Sequence, residues 1–474
     1  MRLDELVAGA SDVLGDVQLD ATAARTEVVA VSHDSRAVRP GSIFCCVRGA
    51  NHDGHLFARA AVDAGAVALV CERPLGSGVP ELVVPDTRYA MAHVAATFHG
   101  HPSRSMRVVG VTGTNGKTTT VHLLAAALQA AGMRTAVIGT LTGVRTTPES
   151  TDLQASLAAL RDDGHDAVAL EVSSHALVQH RVEATSFAVV AFTNLSRDHL
   201  DYHASMEEYF KAKASLFSAR YAPIAVIDTD GPYGRLLAST SDVPTIVRTG
   251  LSQVEPLEIG AASSRVRWRG HELRVPLGGR FNVANAVLAA EIATALGAPA
   301  DAIVEGIASA APVPGRFERV DAGQPFTIVV DYAHTPDGLE QLLEAARELV
   351  DGGRVIVVFG CGGERDTSKR PFMARAAEEG ADLVVVTSDN PRGEDPQRII
   401  ADIVAGFSAR PWRVEPDRRA AIAAAIAEAR PGDVVVIAGK GPETVQEIAG
   451  REEPFDDRAV AAEELARSRG AAGA

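Results

Sequence analysis

The segment Gly113-Thr114-Asn115-Gly116-Lys117-Thr118-Thr119 sets two glycines, a lysine and paired hydroxyls between an apolar run and a helical pattern. The glycines let backbone N–H groups turn inward, and the start of the following helix favours an anion. Lys117 is placed to reach the β- and γ-phosphates of a nucleotide, and the Thr118 hydroxyl to ligate magnesium. The usual spacing wants a further glycine where Val111 stands, so this is a shortened loop with Gly113 as its first glycine. A plain glycine turn fits less well, because position and residue order both match a phosphate cradle. These residues imply ATP or GTP binding and leave the reaction open.

Such a cradle needs a strand before it and a helix after it. Arg107–Thr112 supplies the apolar run, and Val121, Leu124 and Leu128 give the helix one apolar stripe. Similar runs recur at Asp166–Glu171, Phe187–Phe192, Phe326–Asp331, Arg354–Phe359, Asp382–Thr387 and Asp433–Ala438, separated by alanine-rich amphipathic segments. Continuous apolar runs of that length predict parallel strands buried on both faces, in three sheets rather than one. Proline-containing breaks at His101-Pro102-Ser103 and Pro312-Val313-Pro314-Gly315 divide the chain into units 1–101, 102–313 and 314–474. The alanine-rich tail after Asp456 reads as a last helix.

Composition sets the setting. The 474 residues suit about three domains at roughly 150 residues each. With 46% apolar and 23% charged residues the chain is not disordered, and no uncharged run is long enough for a membrane span. The N-terminus lacks a signal-peptide layout. Lys plus Arg at 46 against Asp plus Glu at 61 gives −15, a poor field for nucleic acid or anionic membrane. Cys45 and Cys46 are adjacent while Cys71 and Cys361 lie apart, with neither zinc spacing nor a disulfide framework. A cytoplasmic enzyme is expected.

Several segments then converge. TGTNGKTTT, EVSSHALVQHRV (Glu171–Val182), FTNLSRDHLDYH (Phe192–His203), the Lys213 segment, DYAHTP (Asp331–Pro336), DNPR (Asp389–Arg392) and DSRAVRPGSIF (Asp34–Phe44) together resemble the Mur ligase family, over essentially the whole chain. The resemblance implies an α/β, three-domain architecture. A UDP-sugar-binding N-terminal domain precedes a central P-loop ATPase domain of mostly parallel sheet and a Rossmann-like C-terminal domain that binds the amino acid. Within the family, the motifs imply ATP-dependent addition of meso-2,6-diaminopimelate to UDP-N-acetylmuramoyl-L-alanyl-D-glutamate. The reaction passes through an acyl phosphate, in cytoplasmic peptidoglycan precursor synthesis, with ATP and Mg2+ required. The partners implied are those small molecules alone, with no nucleic acid or membrane, and the family's usual state is a monomer.

The resemblance also assigns roles. Gly113, Thr114, Asn115, Gly116, Lys117, Thr118 and Thr119, with Asn282, Arg316 and His334, bind ATP, and Asn282 meets the adenine or ribose. Thr118, Glu171, His199 and a carbamylated Lys213 are the metal ligands, and Lys117, Glu171, His199 and Lys213 the catalytic set. Ser35, Ala50, Asn51, His52, Thr146, Thr147, Ser173, Gln179 and Arg181 bind the UDP-substrate. Arg365, Asp389, Asn390, Pro391, Arg392, Gly439 and Glu443 bind diaminopimelate, with Arg392 holding a distal carboxylate and Glu443 the ammonium.

Taken without the family, several of these residues read otherwise. Glu171 closes a strand where nucleotides bind, yet it equally suits a helix cap. His199 lies in a polar loop, Lys213 reads as a solvated helix lysine, Ser35 and Thr146 as turn hydroxyls, and Asn390-Pro391 as a turn. One departure stands out. The family's Gly-Lys-Gly-His-Glu is Gly439-Lys440-Gly441-Pro442-Glu443 here, and proline offers neither N–H nor ring nitrogen. A ligase of the same fold using L-lysine or another amino acid, or an inactive nucleotide-binding scaffold, are the alternatives. Competent side chains at Lys117, Glu171, His199 and Lys213 speak against the scaffold.

Overall fold

A computed structural model describes every residue except Asp16, Ala50, Asn51, Ala261, Gly473 and Ala474, and excludes the side chains of 469–472. Ala50 and Asn51, expected at the UDP-substrate, therefore lie outside the described residues. All the expected apolar runs form strands. Arg107–Thr112 lies inside a six-stranded, all-parallel sheet, flanked by Ala167–Glu171 and Val189–Phe192. Thr135–Ile138 lies beyond the first, and Ile224–Asp228 then Thr245–Thr249 beyond the second. Helix Lys117–Ala130 packs against helices Arg280–Ala295 and Ala300–Ala308, and Val121, Leu124 and Leu128 are all fully buried.

Two further sheets flank this one. Four parallel strands near the N-terminus run Ala30–Ser32, Ser42–Cys45, Ala66–Cys71 and Glu81–Val83. Near the C-terminus six strands are ordered Glu318–Arg319, Thr327–Asp331, Val434–Ala438, Val355–Phe359, Leu383–Val386 and Arg413–Val414, parallel except for the first. The chain ends in helix Asp457–Ala472.

Two antiparallel pieces add to the expected picture. Strands Glu255–Ile259, Ser264–Trp268 and His271–Val275 form a small sheet against the 280–295 helix. Their apolar residues alternate with charged ones, so no continuous run marks them. A hairpin, Val445–Ile448 with Arg451–Pro454, follows the GKGPE segment.

Candidate active site

Three parallel strands deliver the phosphate loop and its neighbours to one edge, as expected at the carboxyl ends of such a sheet. Gly116 has φ of 85°, and a Cβ there would run into the Asn285 side chain. The loop is stitched to the next strand's exit, with Thr114 N–H donating to the Asn194 carbonyl at 2.9 Å and Asn115 N–H to Asn194 Oδ1 at 2.9 Å. Lys117 Nζ folds back onto the Gly113 and Thr114 carbonyls at 3.0 and 2.8 Å, and burial lowers its pKa.

Thr118 and Glu171 meet, the hydroxyl donating to Glu171 Oε2 at 3.0 Å. Thr140 N–H donates to the other carboxylate oxygen at 2.9 Å, and Arg316 Nη2 reaches the Thr118 hydroxyl from the C-terminal unit at 3.0 Å. Glu171 thus does not cap the following helix, a task Ser173 performs by accepting from Ala176 N–H at 3.2 Å. Among the described residues no group of three His, Cys, Asp or Glu could hold a metal. The Thr118–Glu171 oxygen pair still fits Mg2+, which commonly takes one or two protein ligands and fills the rest with phosphate and water.

Lys213 overturns the solvated reading. It lies in helix Met206–Ala214, is only 1% exposed, and donates to the Gly113 carbonyl at 2.7 Å. Burial, then the nearby Lys117 charge, hold its pKa well below the ordinary lysine value. His199, at φ 56°, has its pKa pushed down to about 3, chiefly by desolvation and against the pull of Asp198, which favours the neutral imidazole although 39% of the side chain stays exposed. The Asp198 carboxylate lies 3.3 Å from the His199 ring and also faces Lys369 at 3.6 Å and His334 at 3.8 Å.

A cavity of about 400 Å3 opens beside the loop, lined by Asn115, Phe281, Asn285, Leu288, Asp337 and Gln341. It has room for a nucleoside. Asn282, expected at the adenine or ribose, is not among the residues that line this cavity. The wall takes positions 281, 284, 285 and 288 of the helix, whereas Asn282 turns away and donates to the Gly278 carbonyl at 2.8 Å. Asn285 occupies the wall instead. Nor does His334 line the cavity, since its Nδ1 faces the Tyr332 carbonyl at 2.7 Å.

The expected UDP-substrate residues of the central unit do gather. Thr147 hydroxyl donates to the Glu171 carbonyl at 2.8 Å and accepts from Ser173 N–H at 3.0 Å, while Thr146 and Thr140 hydroxyls lie 3.1 Å apart. Gln179 reaches the Tyr202 hydroxyl at 3.2 Å. Arg181 donates to Gln179 at 2.8 Å and pairs with Glu149 at 2.9 Å, leaving its buried Nε without a partner. Glu149 also binds Arg145 and, across from the N-terminal unit, Arg88 at 3.0 Å. Ser35 opens a short 3-10 turn, and His52 packs edge-on to Phe57.

In the C-terminal unit Asn390 Nδ2 donates to Glu443 Oε2 at 2.7 Å, and the fully buried Lys440 donates to Asn390 Oδ1 and Glu443 Oε2, both at 3.0 Å. Glu443 is therefore partly neutralised, with its Oε1 taking no hydrogen bond among the described residues. The Arg392 guanidinium donates to the Gly363 carbonyl at 2.7 Å and lies 3.3 Å from Glu447. Arg392 is held at φ 51° because its N–H and carbonyl bond to Glu447 and Ala449 of the hairpin at 3.0 and 2.7 Å. Arg365 and Arg392 both border Gly362. Glu443 N–H closes a turn onto the Lys440 carbonyl at 3.0 Å with Gly441 at φ 49°, so the turn needs no N–H from Pro442. A Cβ at Gly315 would meet the Gly441–Pro442 backbone.

Sequence reasoning missed Asn285, Lys369, Lys440 and the Arg88–Glu149 contact. Asn285 and Lys440 carried a signal, the first three positions after Asn282 on the same helix and the second inside the Gly439–Glu443 segment.

Comparison with known proteins agrees with this geometry. Family models match in order along the chain: the Mur ligase family catalytic domain at 27–99, the Mur ligase middle domain at 111–293, and the Mur ligase glutamate ligase domain at 315–441. The chain is 46% identical to a UDP-N-acetylmuramoyl-L-alanyl-D-glutamate–2,6-diaminopimelate ligase of Geobacillus thermodenitrificans, over 92% of this chain and 94% of the relative. It is 43% identical to the ligase of the same name from Streptomyces coelicolor, over 98% and 97%. A solved structure of a ligase so named matches with a TM-score of 0.68 at 34% identity, covering 99% of this chain and all of the other. The chain belongs to the Mur ligase family.

Proposed function

We propose that the chain is an ATP-dependent ligase that joins meso-2,6-diaminopimelate to UDP-N-acetylmuramoyl-L-alanyl-D-glutamate, as a cytoplasmic monomer in peptidoglycan precursor synthesis. Residues 1–101 hold the nucleotide-sugar end, 102–313 the ATP, and 314–474 the amine. The γ-phosphoryl group passes from ATP to the substrate carboxylate, giving ADP and an acyl phosphate. The diaminopimelate amine then attacks the acyl carbon, and phosphate leaves.

Both steps gather negative charge on oxygen, which the chain's own cations offset. Lys117, released from the Gly113 and Thr114 carbonyls, turns to the phosphates, and Arg316 approaches them beside Thr118. Thr118 and Glu171, with His199 and a carbamylated Lys213, hold Mg2+, which supplies charge neutralisation at the phosphates. Asn285 and Phe281 take the base. Thr146, Thr147, Ser173, Gln179 and Arg181 orient the acidic substrate. Arg392 and Arg365 hold the carboxylates of diaminopimelate, and Glu443 Oε1 receives its ammonium.

One observation supports the reading above others: Arg316 of the C-terminal unit touches the Thr118 hydroxyl of the phosphate loop, so the unit read as binding the amine reaches the phosphate loop. The test is ADP release and product mass with the UDP-muramoyl dipeptide, ATP, Mg2+ and a panel of amino acids. meso-Diaminopimelate should be preferred. Equal use of L-lysine would overturn the assignment of the amine.

A further inference from the structure

Beneath the amine pocket lies a guanidinium with no access to water. Arg418, the first residue of helix Arg418–Glu428, and Asp457, the first of the last helix, are both fully buried. Arg418 Nε and Nη2 donate to the two Asp457 oxygens at 2.8 and 2.7 Å. The same guanidinium donates from Nη1 to the Ser388 carbonyl at 3.1 Å and from Nη2 to the Ala438 carbonyl at 3.0 Å.

Those two carbonyls are not arbitrary. Ser388 directly precedes Asp389-Asn390-Pro391-Arg392, and Ala438 directly precedes Gly439-Lys440-Gly441-Pro442-Glu443. Ser388 lies just beyond strand Leu383–Val386 and Ala438 ends strand Val434–Ala438, and these strands are not neighbours, since Val355–Phe359 runs between them. No ladder hydrogen bond can set one segment against the other. Arg418 spans the gap. Above it the segments meet through Asn390 and Glu443 at 2.7 Å, and the Asp389 carboxylate abuts Gly439.

We propose that the Arg418–Asp457 pair positions the amine pocket, holding segments 389–392 and 439–443 at the spacing at which Asn390 reaches Glu443. This rests on reading those segments as the diaminopimelate site. A buried ion pair adds little stability over apolar residues of similar volume, so stability alone gives it no reason to be here. Two carbonyl ends in need of one planar, multidentate donor do give a reason.

The test compares the wild type with Asp457→Asn, Arg418→Lys and the double variant Arg418→Met/Asp457→Leu. The double variant leaves no unpaired buried charge and should fold. Its KM for diaminopimelate should rise about tenfold to hundredfold, as displaced contacts do, with KM for ATP and for the nucleotide sugar within about twofold. Hydrogen exchange should quicken at the amides of 389–392 and 439–443. Arg418→Lys should rescue poorly, because an ammonium cannot span carboxylate and both carbonyls. A folded double variant with unchanged exchange in both segments would overturn the proposal, as would equal shifts in all three KM values. If the wild type adds no diaminopimelate while exchange in those segments still responds, the functional reading fails and the positioning role stands.

Discussion

Lys117 and Lys213 donate to the same oxygen, the Gly113 carbonyl, at 3.0 and 2.7 Å. Two ammonium groups so placed and cut off from water repel one another, and Lys213 is the one held well below its ordinary pKa. A neutral amine can add CO2, and the carbamate so formed is an anion beside Lys117 where a second cation would otherwise stand.

Lys213→Met should therefore lose activity without losing the fold, since it removes a desolvated amine that Met can replace in volume. Turnover should drop about 100-fold or more. Added formate or acetate should restore part of it by supplying the missing oxygens. A carbamate signal from labelled CO2, present in the wild type and missing from Lys213→Met, checks the modification, and a bare ammonium in a nucleotide complex would count against it.

Lys117→Ala removes the cation that the glycine loop itself carries. Turnover should fall about 100- to 1000-fold, with circular dichroism and melting temperature near those of the wild type. Activity within a few-fold of wild type would reject the role.

Arg392→Ala should depress kcat/KM for diaminopimelate by roughly 30- to 1000-fold, the equivalent of about 2–4 kcal/mol for a desolvated charge-assisted pair. KM for ATP should barely move. Arg392→Lys should recover little, because the contact to the Gly363 carbonyl and a substrate carboxylate together need the planar fork.

Stability should decline in mild acid. Burial holds His175 and His334 at about 4, below the ordinary histidine value, so the folded state carries fewer protons than the unfolded chain in that interval. Their contribution is complete above about pH 6.5 and is lost as pH falls toward 4. Both rings reach solvent at their edges, so each delivers only part of its full effect. The urea midpoint should fall across this window, and His334→Gln should flatten the fall.

Much of the fold could be read from runs such as Val434–Ala438, where burial on both faces leaves an unbroken apolar signature. Ser264–Trp268 escaped because its residues alternate between buried and exposed, a pattern of period two hidden among arginines. The phosphate loop was legible for a local reason: its residues act on the backbone next to them. Lys213 was not, because what buries it is a loop 100 residues away, and nothing in its own helix announces that contact. Lys440 is alike. Its partners Asn390 and Glu443 come together only when two non-adjacent strands end side by side. Two asparagines three apart, Asn282 and Asn285, share one helix, and only packing decides which of them faces the cavity.

Gly315 packs so closely on the Gly441–Pro442 backbone that no side chain fits between them. Gly315 directly precedes Arg316, where the chain enters the C-terminal unit, and the backbone it packs on belongs to the turn that carries Glu443. Pro442 fixes its own φ, so that turn has little freedom to yield to anything larger at 315. One contact therefore fixes both the path by which the chain enters the C-terminal unit and the place of the Glu443 carboxylate, and a side chain wedged in at 315 would move the two together.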